Sequence, residues 1–531
     1  MTRRSRRTHA TGAIAAALAV FSAALAGCSD DSPKDPGSAA PEQAPATTSP
    51  SPTRSYPLSE APVTVPAVQE HEAARGPGWK PGGDGTVVVA KGSEELADEA
   101  RLIARELELD YGGTNAARSG DVELRLSSGG GAPESYTVTT RDGVVRIAGP
   151  DEAGVFYGTR TLKQSVNASG AMPEGVVRDA PARPQRGFNL DIARKHFTAE
   201  WIEARMREMA DLKLNQLGLH FSDDQAWRIE STSHPEIVTD PHLTTAQVKR
   251  ILALGKQLHI DVFGEIDSPG HLGAVLRAHP DLQLRNAQGV PRQGAIDISK
   301  PQSAELIDDL LREYTALFGG RWFHIGADEY QALTVSDPAA SYPQLATAAR
   351  EKYGAGAGVQ DLTEGWMNDR AAVVRDAKQT PKAWNDGFFS GGTVTADEDI
   401  EVEYWTGKEI GARPPVEYLD EGRKVVNLND EYLYYVLGEP NQFVYPTGRR
   451  IYEEWTPLVL RGTTPVAEKY SDQILGGRFA VWCDLADSQT QAQVAAGVRR
   501  PLQAVSQKLW DERKPSLSWA QFQAAADRAT S

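Results

Sequence analysis

From residue 183 onward, short apolar runs alternate with longer segments in which apolar residues recur every three or four positions. The short runs predict buried strands, and the longer segments predict amphipathic helices. The predicted strands are 188–192, 216–220, 261–265, 322–325, 381–384, 400–405, 424–428 and 479–482. Helical segments such as 200–214, 245–258 and 302–318 separate most of these strands. Eight β/α units in this order predict a (β/α)8 TIM barrel over residues 183–515.

The residues before the barrel show a different, mixed pattern. An apolar run at 86–90 predicts a strand, and the spacing across 94–109 predicts a helix. Residues 122–126 and 136–140 alternate between apolar and polar side chains, and a glycine at 143 leads into a further strand-like run, which suggests a hairpin. Residues 63–182 therefore predict a small α+β accessory domain. It carries no cluster of titratable side chains, so its predicted role is structural.

The N-terminal segment has the composition of an export signal. Arginines precede a short apolar stretch at 13–26, which is too short to span a bilayer comfortably. The stretch ends in Leu25-Ala26-Gly27-Cys28, which resembles a bacterial lipoprotein signal in which Cys28 becomes the lipidated first residue. We therefore predict a signal peptide at 1–27 and a lipoprotein on the extracellular face of the cell membrane. An ordinary secretory signal with a chance cysteine is the alternative.

Composition adds two constraints. Residues 28–62 are rich in Ser, Pro, Ala and Thr and cannot bury much apolar area, which predicts a disordered tether. The formal net charge is −16, and removal of the four signal-peptide arginines would give −16 − 4 = −20, which argues against nucleic acid binding. The second cysteine of the chain, Cys483, has no evident base beside it and is predicted to be a buried small residue.

Candidate chemistry is concentrated where the predicted strand 322–325 ends. Asp328 and Glu329 follow it directly, after the small residues Gly326 and Ala327. Neighbouring side chains on a strand point to opposite faces, so both carboxylates can reach one pocket only where the strand gives way to a loop. Paired carboxyl groups of this kind are what cleavage of a glycosidic bond requires.

Other strand ends carry acids and tryptophans. A barrel places its chemistry at the C-terminal ends of its strands, and tryptophans offer flat walls to the apolar face of a sugar ring. The residues at these predicted ends are Asp191, Asp223, Glu265 with Asp267, Trp384, Trp405, Asp430 with Tyr432, and Trp482 with Asp484. The pattern predicts an oligosaccharide or glycan substrate.

The histidines near these acids leave a metal site as an alternative. No His-x-x-x-His spacing and no cysteine cluster supports it, so we predict neither a metal nor a cofactor. We instead expect a supporting layer around the carboxylate pair, formed by Asp191, Asp223, Glu265, Asp267 and His271. Clustered carboxylates raise one another's proton affinity, which predicts a raised pKa for Glu329.

Several ordered motifs resemble glycoside hydrolase family 20, the β-N-acetylhexosaminidases. Residues 186–195, 219–228 and 265–271 resemble the first three strand motifs of its barrel, and 324–329 resembles its catalytic H-x-G-x-D-E. The resemblance implies a retaining mechanism in which the substrate's own acetamido group attacks the anomeric carbon. It implies that Glu329 is the acid and base and that Asp328 orients the acetamido group.

The resemblance also implies roles for the pocket walls. Tyr432 would bind the acetamido oxygen, and Arg186 and Asp484 would bind sugar hydroxyls. The tryptophans Trp384, Trp405 and Trp482 would enclose the ring.

Two departures from the family pattern concern the hydroxyl-binding acids. The usual Tyr-Leu-Asp is replaced by Tyr432-Leu433-Tyr434, and the usual Trp-x-Glu by Trp482-Cys483-Asp484. These changes would widen the pocket, which resembles the lacto-N-biosidases of the same family. We therefore predict release of terminal β-linked N-acetylhexosamine, with release of a disaccharide as the alternative. A non-catalytic carbohydrate-binding lipoprotein is a weaker alternative, because both catalytic acids are present. The sequence does not indicate an oligomeric state.

Overall fold

The computed structural model describes residues 55–408 and 413–530. The predicted signal peptide, Cys28 and most of the predicted tether lie outside these ranges. Within them, no helix is both long enough and apolar enough to cross a membrane.

The accessory domain is a seven-stranded sheet covered by two helices. Its strands are β1 (Glu70–Ala73), β2 (Thr86–Val89), β3 (Asp110–Tyr111), β4 (Val122–Leu126), β5 (Tyr136–Arg141), β6 (Val144–Gly149) and β7 (Gly175–Asp179). The helices are α1 (Ala97–Glu106) and α2 (Glu152–Ser169). The spatial strand order is β1-β7-β5-β6-β4-β2-β3. The hairpin of β5 and β6 turns through Asp142 and Gly143, both at positive φ, as a tight two-residue hairpin turn requires.

The second domain is a closed parallel barrel, so the predicted (β/α)8 architecture is confirmed. The strands from here on are β8 (Gln185–Asp191), β9 (Gln216–His220), β10 (Asp261–Ser268), β11 (Gln283–Arg285), β12 (Pro291–Ile296), β13 (Trp322–Gly326), β14 (Thr380–Trp384), β15 (Glu401–Tyr404), β16 (Val425–Asn427), β17 (Tyr434–Val436) and β18 (Ile474–Trp482). The barrel consists of β8, β9, β10, β13, β14, β15, β16 and β18, and it closes through the pairing of β18 with β16 and β8. Strands β11 and β12 form a separate hairpin, and β17 extends the barrel sheet beside β18.

Helices surround the barrel and follow most of its strands. They are α3 (Ala199–Asp211), α4 (Thr245–Gln257), α5 (Gly273–Ala278), α6 (Pro301–Phe318), α7 (Pro338–Ser341), α8 (Pro343–Tyr353), α9 (Val359–Asp376), α10 (Pro415–Asp420), α11 (Gly448–Glu454), α12 (Gln491–Trp510) and α13 (Trp519–Ala529). Helix α13 lies beyond the predicted end of the barrel and packs on α2 and α11. Buried apolar side chains between strands and helices form the core that holds the strand ends in place.

The end of the predicted tether is ordered. The Ser59 backbone donates to the Ala74 carbonyl at 3.0 Å, and the Ser59 hydroxyl donates to the Glu174 carbonyl at 2.6 Å. Leu58 forms an isolated bridge with Arg75. Residues 55–62 therefore pack along the accessory domain, because these backbone groups find partners that composition alone does not reveal.

Candidate active site

A cavity of about 780 Å³ opens at the C-terminal end of the barrel. It is lined by polar and aromatic side chains that follow the barrel strands: Arg194, His220, Asp267, His271, Asp328, Glu329, Trp384, Trp405, Lys408, Asp430, Glu431, Tyr434, Val436, Asn441, Gln442, Phe443, Val444, Arg450, Trp482 and Asp484. A closed parallel barrel brings all its strand ends to one face, which is why residues so far apart in sequence meet here.

Glu329 is joined to two residues behind it. Its Oε2 atom lies 3.2 Å from Nε2 of His271, and Nδ1 of the same imidazole lies 3.4 Å from Oδ1 of Asp223. Asp223 is buried, whereas the Glu329 side chain keeps 40% of its surface exposed. The carboxylate that reaches the cavity is therefore oriented by the largely buried His271 and, behind it, the buried Asp223.

Asp328 lies near the same imidazole nitrogen as Glu329. Its Oδ2 atom lies 3.8 Å from His271 Nε2, and Oδ2 of Asp267 lies 3.9 Å from the same nitrogen. Burial, and then the charge of Asp328, raise the pKa of Asp267 well above its usual range. Burial also raises the pKa of Asp328. Both shifts favour protonation within this pair of carboxyl groups.

The charge state of Glu329 differs from the sequence-based prediction. Its hydrogen bond from His271 lowers its pKa, against the effect of burial. Burial opposes protonation of His271, but the charges of Asp223, Asp267 and Asp328 raise the pKa of the imidazole well above its usual value. The clustered carboxylates thus favour the protonated form of His271, and the positive charge of that imidazolium favours the ionised form of Glu329. The raised pKa predicted for Glu329 is wrong for this reason.

A second buried chain supports the floor of the cavity. His220 lies 2.8 Å from Asp223 and 3.0 Å from Glu265, and the Trp384 indole donates to Glu265 at 2.7 Å. Burial opposes ionisation of Glu265, but the charges of His220 and His324 lower its pKa to about 2. Glu265 therefore stays ionised and fixes the Trp384 ring.

Aromatic rings form the remaining walls. Trp405 and Tyr434 are stacked with centroids 5.7 Å apart and an interplanar angle of 1°, and Trp482 lies 5.7 Å from Tyr434 and 5.8 Å from Trp384. The indole nitrogen of Trp482 is buried and has no hydrogen-bond partner among the described residues. Flat apolar faces with one unused donor suit a sugar ring, which has an apolar face and a rim of hydroxyls.

A model of the glycosyl hydrolase family 20 catalytic domain matches residues 184–513, and a model of that family's domain 2 matches residues 61–180. The chain belongs to glycosyl hydrolase family 20. The first match covers the barrel with its cavity, and the second covers the accessory sheet.

Family 20 relatives extend the comparison. The chain is 29% identical over 483 residues to a lacto-N-biosidase from Bifidobacterium bifidum, a match that covers 88% of this chain and 41% of that enzyme. It is 29% identical over 287 residues to a beta-hexosaminidase from Porphyromonas gingivalis, covering 46% of this chain and 36% of that protein. The chain thus spans less than half the length of either relative.

Solved family 20 structures share the fold. The exo-β-N-acetylglucosaminidase of Vibrio harveyi superposes with a TM-score of 0.72 at 19% identity, covering 90% of this chain and 79% of that one. The β-N-acetylhexosaminidase of Streptomyces coelicolor superposes with a TM-score of 0.70 at 21% identity, covering 89% and 97%.

Arg186 does not lie in the family 20 cavity, contrary to the prediction. It is at the start of β8, the opposite end of the strand, where its guanidinium pairs with Glu134 at 2.8 Å and lies over the rings of Tyr157 and Trp510. The arginine that reaches the cavity is Arg194, which follows the same strand. The motif contains two arginines, and only the direction of the strand distinguishes them.

Arg194 is held by the acids around it. Its guanidinium lies 3.1 Å from Asp191 and 2.8 Å from Asp223, and it covers the Trp482 ring at 5.6 Å. Asp484 lines the cavity nearby, and burial raises its pKa. Asp191 and Asp223 thus position the cavity's arginine, and Asp223 also contacts His271 behind Glu329.

Tyr432 also lies outside the cavity lining. Its hydroxyl donates to Glu454 at 3.2 Å and its ring lies under the Arg450 guanidinium. Tyr434, two residues later on β17, faces the cavity instead. The backbone turns between Asn429 and Leu433, so the alternation assumed from the sequence begins only at β17.

Asp386 is a site residue that the sequence analysis missed. It accepts the Glu329 backbone N–H at 3.0 Å and the Trp405 indole N–H at 2.9 Å, joining the loop that carries Glu329 to a wall of the cavity. Burial, and then the charge of Asp328, raise its pKa to about 8. Asp386 could have been identified from the sequence, because it lies two residues after Trp384, at the end of a predicted strand.

Proposed function

We propose that this protein is a retaining exo-glycosidase that hydrolyses the bond of a terminal β-linked N-acetylhexosamine by substrate-assisted catalysis. The observation that carries the proposal is the position of Glu329, joined to His271 and Asp223, beside the Asp328–Asp267 pair in one aromatic-walled cavity. These groups are suited to protonating a leaving oxygen and to stabilising positive charge a few ångströms away.

In the first step, the acetamido oxygen of the substrate attacks the anomeric carbon while Glu329 delivers a proton to the departing glycosidic oxygen. At rest that proton lies on His271 in the Glu329–His271 pair, and as the leaving oxygen gains negative charge the proton passes from His271 through the Glu329 carboxyl group to that oxygen. The resulting bicyclic intermediate carries positive charge on the former acetamido group. The Asp328 carboxylate accepts the N–H of that group and stabilises the charge.

In the second step, a water molecule attacks the anomeric carbon and the acetamido group is restored. The Glu329 carboxylate takes the proton from the water and passes it back to His271, which restores the resting pair. Tyr434 replaces Tyr432 as the hydroxyl facing the acetamido oxygen, because Tyr434 lines the cavity beside Trp405. Arg194 replaces Arg186 as the ligand for ring hydroxyls.

Release of a disaccharide is the second candidate function. The cavity extends past the carboxylates to Lys408, Asp430 and the segment 441–444, and Tyr434 occupies the place where the family pattern has an acid. Lys408 and Asp430 are paired at 2.8 Å and offer a charged hydrogen-bonding wall for a further ring. The lacto-N-biosidase from Bifidobacterium bifidum, which this chain resembles over 88% of its length, supports the same reading.

A substrate panel separates the two candidates. The full chain is assayed at matched concentrations of aryl β-N-acetylglucosaminide, aryl β-N-acetylgalactosaminide and aryl β-lacto-N-bioside, with aryl β-glucoside as a control lacking the acetamido group. Fast release from either monosaccharide supports the exo-hexosaminidase, and release from the disaccharide alone supports the second candidate. Cleavage of none of the three acetamido substrates would refute both.

We also propose that the protein is exported and anchored by a lipid on Cys28. The basic segment, short apolar stretch and small residues before that cysteine support the proposal. Mass spectrometry of the protein isolated from bacterial membranes should show a diacylglycerol-modified Cys28 as the first residue. A mature N-terminus elsewhere, or a Cys28→Ala variant that stays in the membrane fraction, would contradict it.

A further inference from the structure

Three metal-ligating side chains meet on the barrel rim, away from the cavity lining. His234 and Glu236 belong to the segment that follows β9, and His279 ends the short helix α5. Nδ1 of His234 and Nε2 of His279 each lie 3.0 Å from the same oxygen, Oε1 of Glu236. Two imidazoles thus converge on a single carboxylate oxygen.

We propose that His234, Glu236 and His279 form a binding site for a divalent cation of the zinc class. One ligand atom from each residue lies within 4.8 Å of the others. In a tetrahedral site with metal–ligand bonds of about 2.0–2.1 Å, ligand atoms are about 3.3 Å apart. Two of the three separations are already close to that value, so small side-chain rotations complete the triangle.

The donor set is specific for borderline metals. Two neutral imidazoles and one carboxylate suit Zn²⁺ and its neighbours, whereas Mg²⁺ and Ca²⁺ prefer oxygen ligands. The three side chains are 19%, 43% and 26% exposed, so a fourth position faces water. The cation would replace the direct contacts of the two imidazoles with Glu236.

The backbone on the His234 side is fixed before any ion binds. Glu313, on α6, accepts hydrogen bonds from the backbones of Thr232 and Ser233 and from the hydroxyl of Ser231. The His234 backbone N–H in turn donates to the Ser231 hydroxyl at 3.0 Å. A preorganised loop loses little entropy on binding.

The backbone on the His279 side is fixed as well. The Arg277 side chain donates to the carbonyls of Asp224 and Gln225 at 2.8 and 2.9 Å, and the Gly273 N–H donates to Asp224 at 2.9 Å. These contacts join α5 to the segment after β9. The cation adds a further link between the two segments that carry Asp223 and His271, the supports of Glu329, so it stabilises their arrangement without touching substrate.

Isothermal titration of the chelator-treated full chain with ZnCl₂ tests the site. We expect one tight equivalent, a weakening of at least tenfold in His234→Ala and His279→Ala, and a higher thermal midpoint on adding zinc to the wild type. His242→Ala is the matched control, because His242 lies on the same segment and pairs with the exposed Asp240, away from the three proposed ligands. It should bind zinc as the wild type does, and MgCl₂ should give no saturable binding.

Cobalt provides a readout that does not depend on the variants folding. Co²⁺ bound by two imidazoles and a carboxylate in a tetrahedral site absorbs in the visible region, whereas hydrated Co²⁺ absorbs only weakly. An absorption band that saturates at one equivalent and is displaced by zinc supports the site. Absence of saturable zinc or cobalt binding in the wild type, or equal binding by His234→Ala, His279→Ala and His242→Ala, would overturn the proposal.

Discussion

At the scale of single residues, the carboxyl groups of the cavity differ in charge because their neighbours differ. Glu329 receives a hydrogen bond from His271, which lowers its pKa, whereas burial among carboxylates raises the pKa of Asp267, Asp328 and Asp386. The proton needed for the leaving group is therefore shared with the imidazole. Converting a single carboxyl group to an amide removes its charge and its proton, so the contribution of each group can be tested separately.

Glu329→Gln should lower kcat by a factor of about 10²–10⁴ on substrates with poor leaving groups, because the amide cannot deliver a proton. The loss should be much smaller for a dinitrophenyl glycoside, whose leaving group needs no acid. Steady-state kinetics on both substrates measures the difference. Glu453→Gln, which alters an exposed carboxylate paired with Arg449, is the control, and equal kcat values for the two variants would remove Glu329 from its role.

Asp386→Asn should flatten the dependence of stability on pH. The native pKa of about 8 exceeds the unfolded value of about 3.9, so the native protein binds more protons in this interval. Its stabilising effect is therefore fully present below pH 4 and is lost as the pH rises towards 8. The amide has one acceptor oxygen in place of two, so the variant loses one hydrogen bond, and we expect this loss of stability to be the same at every pH. The measurement is therefore the slope of the thermal midpoint against pH between pH 5 and 8.5.

Glu364→Gln is the matched comparison for this slope. Burial raises the pKa of Glu364 to about 7, and its carboxylate accepts the Ala396 N–H at 3.0 Å outside the cavity lining. It should flatten the stability profile without changing kcat. Asp386→Asn should also lower kcat, because Asp386 holds the Glu329 backbone. An unchanged pH slope in Asp386→Asn would contradict the assigned protonation.

At the scale of elements, the turn after β13 shows why Asp328 and Glu329 can both face one cavity. Gly326, Ala327 and Glu329 have φ values of 71°, 84° and 47°, in the left-handed region that reverses the direction of side chains. A residue with a Cβ atom costs about 1–2 kcal/mol there. The loop thus departs from strand geometry at the position where both carboxylates must turn inward.

The two small residues of this turn should respond differently to substitution. Gly326→Ala should lower both stability and kcat, because its Cβ would collide with the Asp267 carboxylate. Ala327→Gly should be neutral or stabilise by up to about 1 kcal/mol, since relief of the left-handed strain is partly offset by the greater freedom of glycine in the unfolded chain. Chemical denaturation and kcat of both variants measure this. A more damaging effect of Ala327→Gly would contradict the assignment of strain.

At the scale of the whole molecule, the accessory domain is fastened to the base of the barrel by buried polar groups. Arg186 donates to the carbonyls of Lys213 and Arg183 and pairs with Glu134. The Lys213 ammonium lies 3.4 Å from Asp179 at the end of β7. These contacts lie at the opposite end of the barrel from the cavity.

Arg186→Ala should lower the free energy of unfolding by about 3–5 kcal/mol, because it leaves Glu134 without its buried partner. The KM of the folded fraction should stay unchanged, since Arg186 does not line the cavity. Arg178→Ala is the control, because its ion pair with Glu72 is exposed and contributes at most about 1 kcal/mol. A raised KM with unchanged stability would restore Arg186 to substrate binding.

The order of apolar runs determined the barrel, because periodicity is a local property that each strand and helix carries in its own residues. The position of Asp328 and Glu329 after a strand likewise placed them at the active face. Composition, by contrast, did not reveal that residues 55–62 pack along the accessory domain, because their partners, such as Glu174, come from elsewhere in the chain.

Tertiary structure decided which of two neighbouring arginines and which of two neighbouring tyrosines faces the cavity. It also decided the direction of the pKa shift of Glu329. Arg194 was chosen over Arg186 by the direction of β8, and Tyr434 over Tyr432 by the turn before β17. The proximity of His271 to Glu329 reversed the predicted shift in the pKa of Glu329. The meeting of His234 with His279 has no local signal either, because distances between side chains depend on how whole elements pack.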